Sequence, residues 1–141
     1  MNRLTVQNWV FCEQARPEVG GKHTLLGVSA PQIFAESFPT IIAVTLWVSG
    51  VPTGLGPFSA NVRVQDHEGK TLITGTLTGE FQSSALTSMI IGPMPISLEH
   101  ADDFAFSWNF GEEWEQIGVL SVGLQSNQYS LTSSSEPQKP V

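Results

Sequence analysis

Charged residues are scarce in this chain, and basic ones are especially few. Lys, Arg, Asp and Glu together make up 13% of the 141 residues, about half of the usual quarter. The 13 acidic residues outnumber the 6 basic ones, so the formal net charge is −7. Because an acidic protein repels phosphate groups and anionic lipid headgroups, we expect neither a nucleic acid nor a membrane as its partner.

The sequence also has little cysteine and no long apolar run. Cys12 is the single cysteine, which excludes an internal disulfide and the Cys-rich patterns of zinc sites. No stretch approaches the roughly 18 apolar residues of a membrane span. Polar residues interrupt the apolar ones near the N-terminus, so a secretory signal is not expected. We therefore expect a cytoplasmic protein.

Glycine, proline and aromatic residues are plentiful by contrast. The chain has 13 Gly, 9 Pro, 8 Phe and 4 Trp, which indicates frequent turns and bulky core residues and favours strands over helices. An apolar share of 40% is enough to fill one core. We expect one domain over residues 1–124, followed by a flexible polar tail over residues 125–141, whose Ser, Asn, Gln and Pro residues have little apolar area to bury.

Apolar residues at every second position, the pattern of β-strands, recur along the chain. Residues 40–49 are apolar on both faces, which predicts a central strand with both faces covered. Pro93 and Pro95 place another strand at an edge or a bulge. The pattern predicts an all-β fold, an antiparallel two-sheet sandwich of about seven to eight strands, similar to immunoglobulin or C2 domains. The predicted core includes Val10, Leu25, Ile42, Val44, Leu46, Val62, Leu72, Phe106 and Ile117.

Carboxylates in three connections form a candidate metal site. If the strands alternate in direction, residues 30–39, 66–69 and 98–103 lie at one end of the sandwich, and oxygen-rich loops of this kind bind hard cations such as Ca²⁺. The candidate ligands are Asp66, Glu68, Glu99, Asp102 and Asp103. Their spacing matches no metal motif, and turns favour Asp on backbone grounds alone. We therefore expect a solvated acidic rim with no metal and no cofactor.

Three further groups of residues could carry a function. A hairpin could bring the Cys12 thiol close to the His23 imidazole, but no third group to orient them is evident, so we assign no catalytic residue. Arg16 could pair with Glu13 and fix the loop that they share. Exposed Trp rings could stack on a sugar, although Trp usually fills a core. The four Trp residues are Trp9, Trp47, Trp108 and Trp114.

Two motifs carry a resemblance to a known family. The first is Cys12-Glu13, then Arg16, then the run Gly21-Lys22-His23-Thr24-Leu25-Leu26-Gly27-Val28. The second is the hairpin over residues 106–122 with its Gly111-Glu112 turn. Over residues 5–123 the chain resembles a family of short uncharacterised bacterial proteins, known as a domain of unknown function. The resemblance implies no catalytic residue.

The main functional hypothesis is a non-enzymatic β-sandwich that binds a protein partner or a second copy of itself. It rests on the lack of a catalytic constellation and on a strand edge that another strand could join. The alternatives are a carbohydrate- or small-ligand-binding module, and a metal-binding module or hydrolase. A sandwich fold by itself does not choose among them.

Overall fold

The computed structural model describes residues 2–125, which form ten β-strands and no helix. The strands are β1 (Leu4–Cys12), β2 (Gln14–Pro17), β3 (His23–Leu26), β4 (Gln32–Ala35), β5 (Thr40–Pro52), β6 (Gly56–Gln65), β7 (Thr71–Phe81), β8 (Thr87–Leu98), β9 (Asp102–Asn109) and β10 (Glu115–Leu124). Within these residues, nothing could serve as a membrane-spanning helix. The predicted tail lies outside the described residues apart from Gln125, and the cytoplasmic location stays a prediction.

The strands form three sheets, in the orders β1-β5-β8, β4-β10-β9-β6-β7 and β2-β3. The all-β class with packed sheets is confirmed, whereas the number of sheets is three rather than the predicted two. The strictly antiparallel pairing is also wrong, because β4 and β10 run parallel. The likeness to immunoglobulin or C2 domains stays a prediction.

The extra strands come from segments that the sequence pattern assigned to connections. Gly20 and Gly21 have φ values of 84° and 75°, a conformation that glycine adopts readily, and they let β2 and β3 close into a small hairpin. Residues 30–39 were predicted to be a connection, but within them β4 is extended and pairs with β10. Four-residue strands are too short to show a clear alternation.

The core lies between the two larger sheets and contains residues from both. The largest fully buried side chains include Leu4, Phe11, Leu46, Phe106 and Trp108. Five predicted core residues are buried, and Ile42 packs against the core while partly exposed. The buried five are Val44, Leu46, Val62, Phe106 and Ile117.

The other three predicted core residues are wrong, and β-bulges explain two of them. An extra residue at Gln7 in β1 reverses the alternation, so Val10 turns away from the core while Phe11 turns inward. Leu72 is itself the extra residue of a bulge in β7 and is 38% exposed. A bulge inserts one residue into one strand only, which shifts every later side chain to the other face. Leu25 lies on the small hairpin outside the core.

The β2-β3 hairpin covers part of the outer face of β5. Trp47 donates a hydrogen bond from Nε1 to Nδ1 of His23 over 3.1 Å, and the Thr45 hydroxyl donates to the Glu13 carbonyl over 3.2 Å. These contacts bury Thr45 although it points away from the core. The predicted covering of β5 on both faces is therefore confirmed for its second half.

Candidate functional site

A cleft opens where β1 ends beside β5. Its volume is about 530 Å³, within the range of ligand-binding clefts. Its lining is mostly apolar and comes from β4, β5, β10, the end of β1 with the residue after it, and the connection between β3 and β4. The lining residues are Cys12, Glu13, Gly27, Ser29, Ile33, Phe34, Ile42, Ala43, Val44 and Leu120.

The first half of β5 has a neighbouring strand on one side only. β1 pairs with β5 from Pro52 back to Thr45 and ends there at Cys12. Residues 40–44 pair with β8 on the other side. Within the described residues no strand lies beside them where β1 would continue, and this open side is the cleft.

The direction of the backbone groups along this open side follows from the hydrogen bonds of β1. Ser29 donates its N–H to the carbonyl of Phe11 over 3.0 Å, so the backbone groups of Phe11 point away from β5. Those of Cys12, the next residue, therefore point towards Thr45, because neighbouring residues alternate. The backbone N–H and C=O groups of Thr45 likewise point towards β1.

Along β5, the backbone groups of successive residues point alternately towards β8 and towards the cleft. The backbone N–H and C=O groups of Ile41 and Ala43 point to the same side as those of Thr45, past the end of β1. Pro95 lies opposite Ala43 on β8 and has no N–H to donate, which agrees with this assignment. The bulge between the two strands places its extra residue in β8, so the alternation along β5 is unbroken.

Strand β4 presents a second free edge at the cleft. Ser121 donates its N–H to Pro31 O over 2.9 Å, and Gln125 donates its N–H to Ala35 O over 2.7 Å. The carbonyl groups of Pro31 and Ala35 therefore point towards β10. Because neighbouring residues alternate, the backbone groups of Gln32 and Phe34 point away from β10. Phe34 is 47% exposed. Within residues 2–125, the backbone groups that face the cleft along β5 and along β4 have no pairing strand, and apolar side chains lie between them.

Glu13 and Gly27 close one end of the cleft. The N–H of Glu13 bonds to the carbonyls of Leu26 and Gly27 at 3.0 and 3.2 Å. Gly27 has a φ of 65°, and a Cβ atom there would lie 2.7 Å from the Glu13 carboxyl group. The Glu13 side chain is exposed and forms no hydrogen bond or ion pair with residues 2–125. The predicted pair with Arg16 is therefore wrong.

The thiol and imidazole that could have formed a catalytic pair are kept apart. His23 pairs with Pro17 at the far end of the small hairpin, and its Nδ1 accepts the Trp47 hydrogen bond. Burial raises the pKa of the Cys12 thiol, and the N–H of Gln14 opposes this rise in part. A raised pKa keeps the thiol protonated, the form that is a poor nucleophile.

The acidic candidate residues do lie near one another. Asp66, Glu68, Glu99 and Asp102 line a cavity of about 380 Å³, and Asp103 lines the next one together with Asp102. Asp66 Oδ1 accepts the N–H groups of Glu68 and Lys70, each over 2.9 Å, as is usual for Asp in a turn. Over residues 2–125, no group of three or more His, Cys, Asp or Glu side chains is arranged to hold a metal ion. The expected acidic rim without a metal stays a prediction.

His67 and Asp102 form an ion pair at this acidic end, with 2.7 Å between Nδ1 and Oδ1. The hydrogen bond to Asp102 and its negative charge raise the pKa of His67, and Glu68 and Asp66 add to this. Burial alone would raise the pKa of Asp102, whose side chain is 8% exposed. The N–H of Asp103 and the contacts with His67 outweigh burial, so the pKa of Asp102 is lowered.

The Trp residues do not form a pair of exposed rings. Trp108 is fully buried, and its Nε1 donates to Glu115 Oε1 over 3.0 Å. Trp9 and Trp47 are half-buried. Trp114 is the exposed one, at 39%, and the guanidinium of Arg63 lies 4.0 Å from its ring centre.

Comparison with known proteins identifies the family. A family model described as a family of unknown function (DUF6941) matches residues 7–123. The chain belongs to this family. The predicted membership in an uncharacterised family is confirmed, while the N-terminal motif and the bacterial origin stay predictions. No curated protein and no solved structure is significantly similar to the chain.

Three residues of the first motif from the sequence analysis line the cleft, namely Cys12, Glu13 and Gly27. The cleft itself was not predicted. Its signal in the sequence was the apolar character of Ile41 and Ala43 on the outward face of β5, combined with a preceding strand too short to reach them.

Proposed function

We propose that this chain is a non-catalytic module that binds an extended segment of a protein partner in the cleft. The segment would add a strand to β5 where β1 ends. The observation that supports this most directly is the orientation of Ile41 and Ala43, whose backbone groups point into an apolar cleft with no pairing strand among the described residues. Exposed strand edges of this kind bind extended peptides through main-chain hydrogen bonds.

The cleft lining indicates what the bound segment would contain. Side chains of a strand point alternately to its two faces, so every second residue of the segment would point towards Ile33, Ile42 and Leu120 and should be apolar. The residue near Glu13 should be Lys or Arg, because this exposed carboxylate has no partner within residues 2–125. The net charge of −7 also favours a basic segment.

Selection of peptides on the intact protein tests this function. A display library of random peptides is panned against the full chain, and the affinities of the selected peptides are measured by fluorescence polarisation. We expect peptides with apolar residues at alternate positions and a basic residue towards one end. Selection of no peptide, or of peptides without alternation, would contradict the proposal.

Substitutions at Ala43 then distinguish strand addition from simple apolar binding. Ala43→Pro removes the N–H that points into the cleft, while no β5–β8 hydrogen bond is lost because Ala43 faces Pro95. Loss of this bond should weaken peptide binding by about tenfold. Ala43→Ser keeps the N–H and serves as the matched control, with affinity close to that of the wild type. Equal binding by both variants would overturn strand addition.

The alternatives have less support from the described residues. A sugar-binding module lacks a pair of exposed Trp rings, and a metal-binding module lacks an arranged ligand group within residues 2–125. Both stay predictions.

A further inference from the structure

The two large sheets come close together beside the cleft. Ser29 donates its N–H to the carbonyl of Phe11 in β1 over 3.0 Å, and the Pro31 carbonyl accepts the N–H of Ser121 in β10 over 2.9 Å. The chain therefore passes from the edge of one large sheet to the other between Ser29 and Pro31, a step that spans at most about 7 Å. Packed sheets usually stand about 10 Å apart. The two sheets thus converge on this side of the fold.

The cleft lies where the sheets converge, and each sheet contributes an edge to it. On β5 the backbone groups of Ile41 and Ala43 point into the cleft, and on β4 those of Gln32 and Phe34 point away from β10. Ala43 and Phe34 both line the cleft. Neither edge has a pairing strand there within residues 2–125. Two rows of backbone donors and acceptors therefore border one apolar space.

A segment that paired with β5 alone would keep a second edge without partners. Successive residues of a strand point their N–H and C=O groups alternately to the two sides, so every second residue of the segment would turn these groups away from β5. A buried backbone group without a hydrogen bond is costly. The free groups of β4 are suitable partners, because Ile33 and Phe34 line the same cleft as Ala43.

We infer that the bound segment pairs with β5 along one side and with β4 along the other. This inference rests on the proposed function, since it describes how the same segment is held. The added strand links the two large sheets into one, in the order β8-β5-segment-β4-β10-β9-β6-β7. Main-chain hydrogen bonds then hold the segment on both sides.

Pairing on both sides defines the class of segment that the cleft accepts. A strand with one neighbour tolerates proline at every second position, where its N–H would face solvent, but a strand between two neighbours does not. β4 has four residues, which limits the part of the segment that is paired on both sides to about this length. The partner segment is therefore a short extended stretch without proline.

An ester scan of the tightest-binding peptide from the panning experiment tests the inference on the intact protein. Each variant peptide has one backbone N–H replaced by an ester oxygen, which removes a donor without adding bulk. We expect a loss of affinity of about tenfold at each of several consecutive positions. Loss at every second position alone would show pairing with one edge and would overturn the inference.

This outcome differs from a failure of the proposed function. If the panning yields no peptide, strand addition to β5 fails together with the inference. If a peptide binds but tolerates the ester at alternate positions, the proposed function stands and only the pairing with β4 is rejected.

Substitutions at Phe34 test the contribution of β4 from the protein side. Phe34→Pro removes the N–H that points away from β10, so no bond between β4 and β10 is lost. Phe34→Ala is the matched control, because both variants lose the ring that lies beside Gly123 while the control keeps the N–H. We expect peptide affinity to be about tenfold lower in Phe34→Pro than in Phe34→Ala. Equal affinities would overturn the pairing with β4.

Amide hydrogen exchange followed by NMR gives a measurement that needs no variant. In the free protein the N–H groups of Phe34 and Ala43 should exchange fast, and saturating peptide should slow both. Slowing at Ala43 alone would reject the pairing with β4. Slow exchange at both positions before peptide is added would show that another part of the chain already covers these edges, which would also overturn the inference.

Discussion

The two halves of β5 have similar apolar sequences but different surroundings. From Thr45 to Gly50 the strand lies between β1 and β8, and the small hairpin covers part of its outer face. Over residues 40–44 it pairs with β8 only, and Ile41 is 68% exposed. The difference arises because β1 leaves β5 at Cys12. The same alternation of residues thus contributes to the core in one half and, within the described residues, leaves an open strand edge in the other.

Truncation of one apolar residue in each half is the strongest test of this difference. Leu46 is fully buried in the second half, so Leu46→Ala should reduce the free energy of unfolding by about 2–5 kcal/mol, through lost burial and a cavity. Ile41→Ala in the first half should change it by less than about 0.5 kcal/mol. Urea unfolding of the two variants measures both values. Similar losses would mean that residues 40–44 are covered in solution.

A substitution at Gly27 tests whether Glu13 fixes the end of the cleft, which lies next to the boundary between the two halves of β5. Gly27→Ala forces a positive φ on alanine, which costs about 1–2 kcal/mol, and its Cβ also meets the Glu13 carboxyl group at 2.7 Å. Gly69→Ala is the matched control, because Gly69 has a φ of 84° and no atom near a built Cβ. We expect the larger loss of unfolding free energy at Gly27. An equal loss would show that Glu13 moves aside freely and does not fix the end of the cleft.

The hairpin that covers the second half of β5 depends in part on one indole. Trp47→Phe keeps the aromatic ring but removes the hydrogen bond to His23, which should reduce the free energy of unfolding by about 0.5–1.5 kcal/mol. Amide hydrogen exchange should become faster in β2 and β3 and remain slow in β6. Trp114→Phe, at an exposed position, should have no such effect. Unchanged protection of the hairpin in Trp47→Phe would show that other contacts hold it.

The sequence predicted the all-β class and five of the buried core residues, because long strands such as β5 and β9 show their alternation clearly. It misplaced Val10 and Leu72, since one bulge residue reverses an alternation and leaves no mark in composition. The cleft was not predicted, because the apolar outward face of β5 alone does not locate it. Its position depends on where β1 stops relative to β5, which is a matter of pairing register between residues more than 30 positions apart.

The smallest expected effect on the free energy of unfolding concerns the ion pair between His67 and Asp102. This pair lies near the start of β5, where Thr40 pairs with Leu98. His67 is 55% exposed, so its pair with Asp102 adds little to stability. The raised pKa of His67 means that this contribution is complete below the ordinary His pKa of 6.5 and is lost as pH rises through the folded-state pKa. The lowered pKa of Asp102 means that its contribution is complete above 3.8 and is lost as pH falls through the folded-state pKa.

Both contributions are therefore complete between about pH 3.8 and 6.5. His67→Gln removes the titrating ring and keeps the backbone N–H bonds to Asp102. Urea unfolding of the two proteins over a pH series should show the wild type more stable by a small constant amount between about pH 3.8 and 6.5, with the difference shrinking at higher pH. Because the pair is exposed, added salt should reduce the difference as well. A difference that grows with pH would mean that His67 is stabilised in its neutral form and that the ion pair is absent in solution.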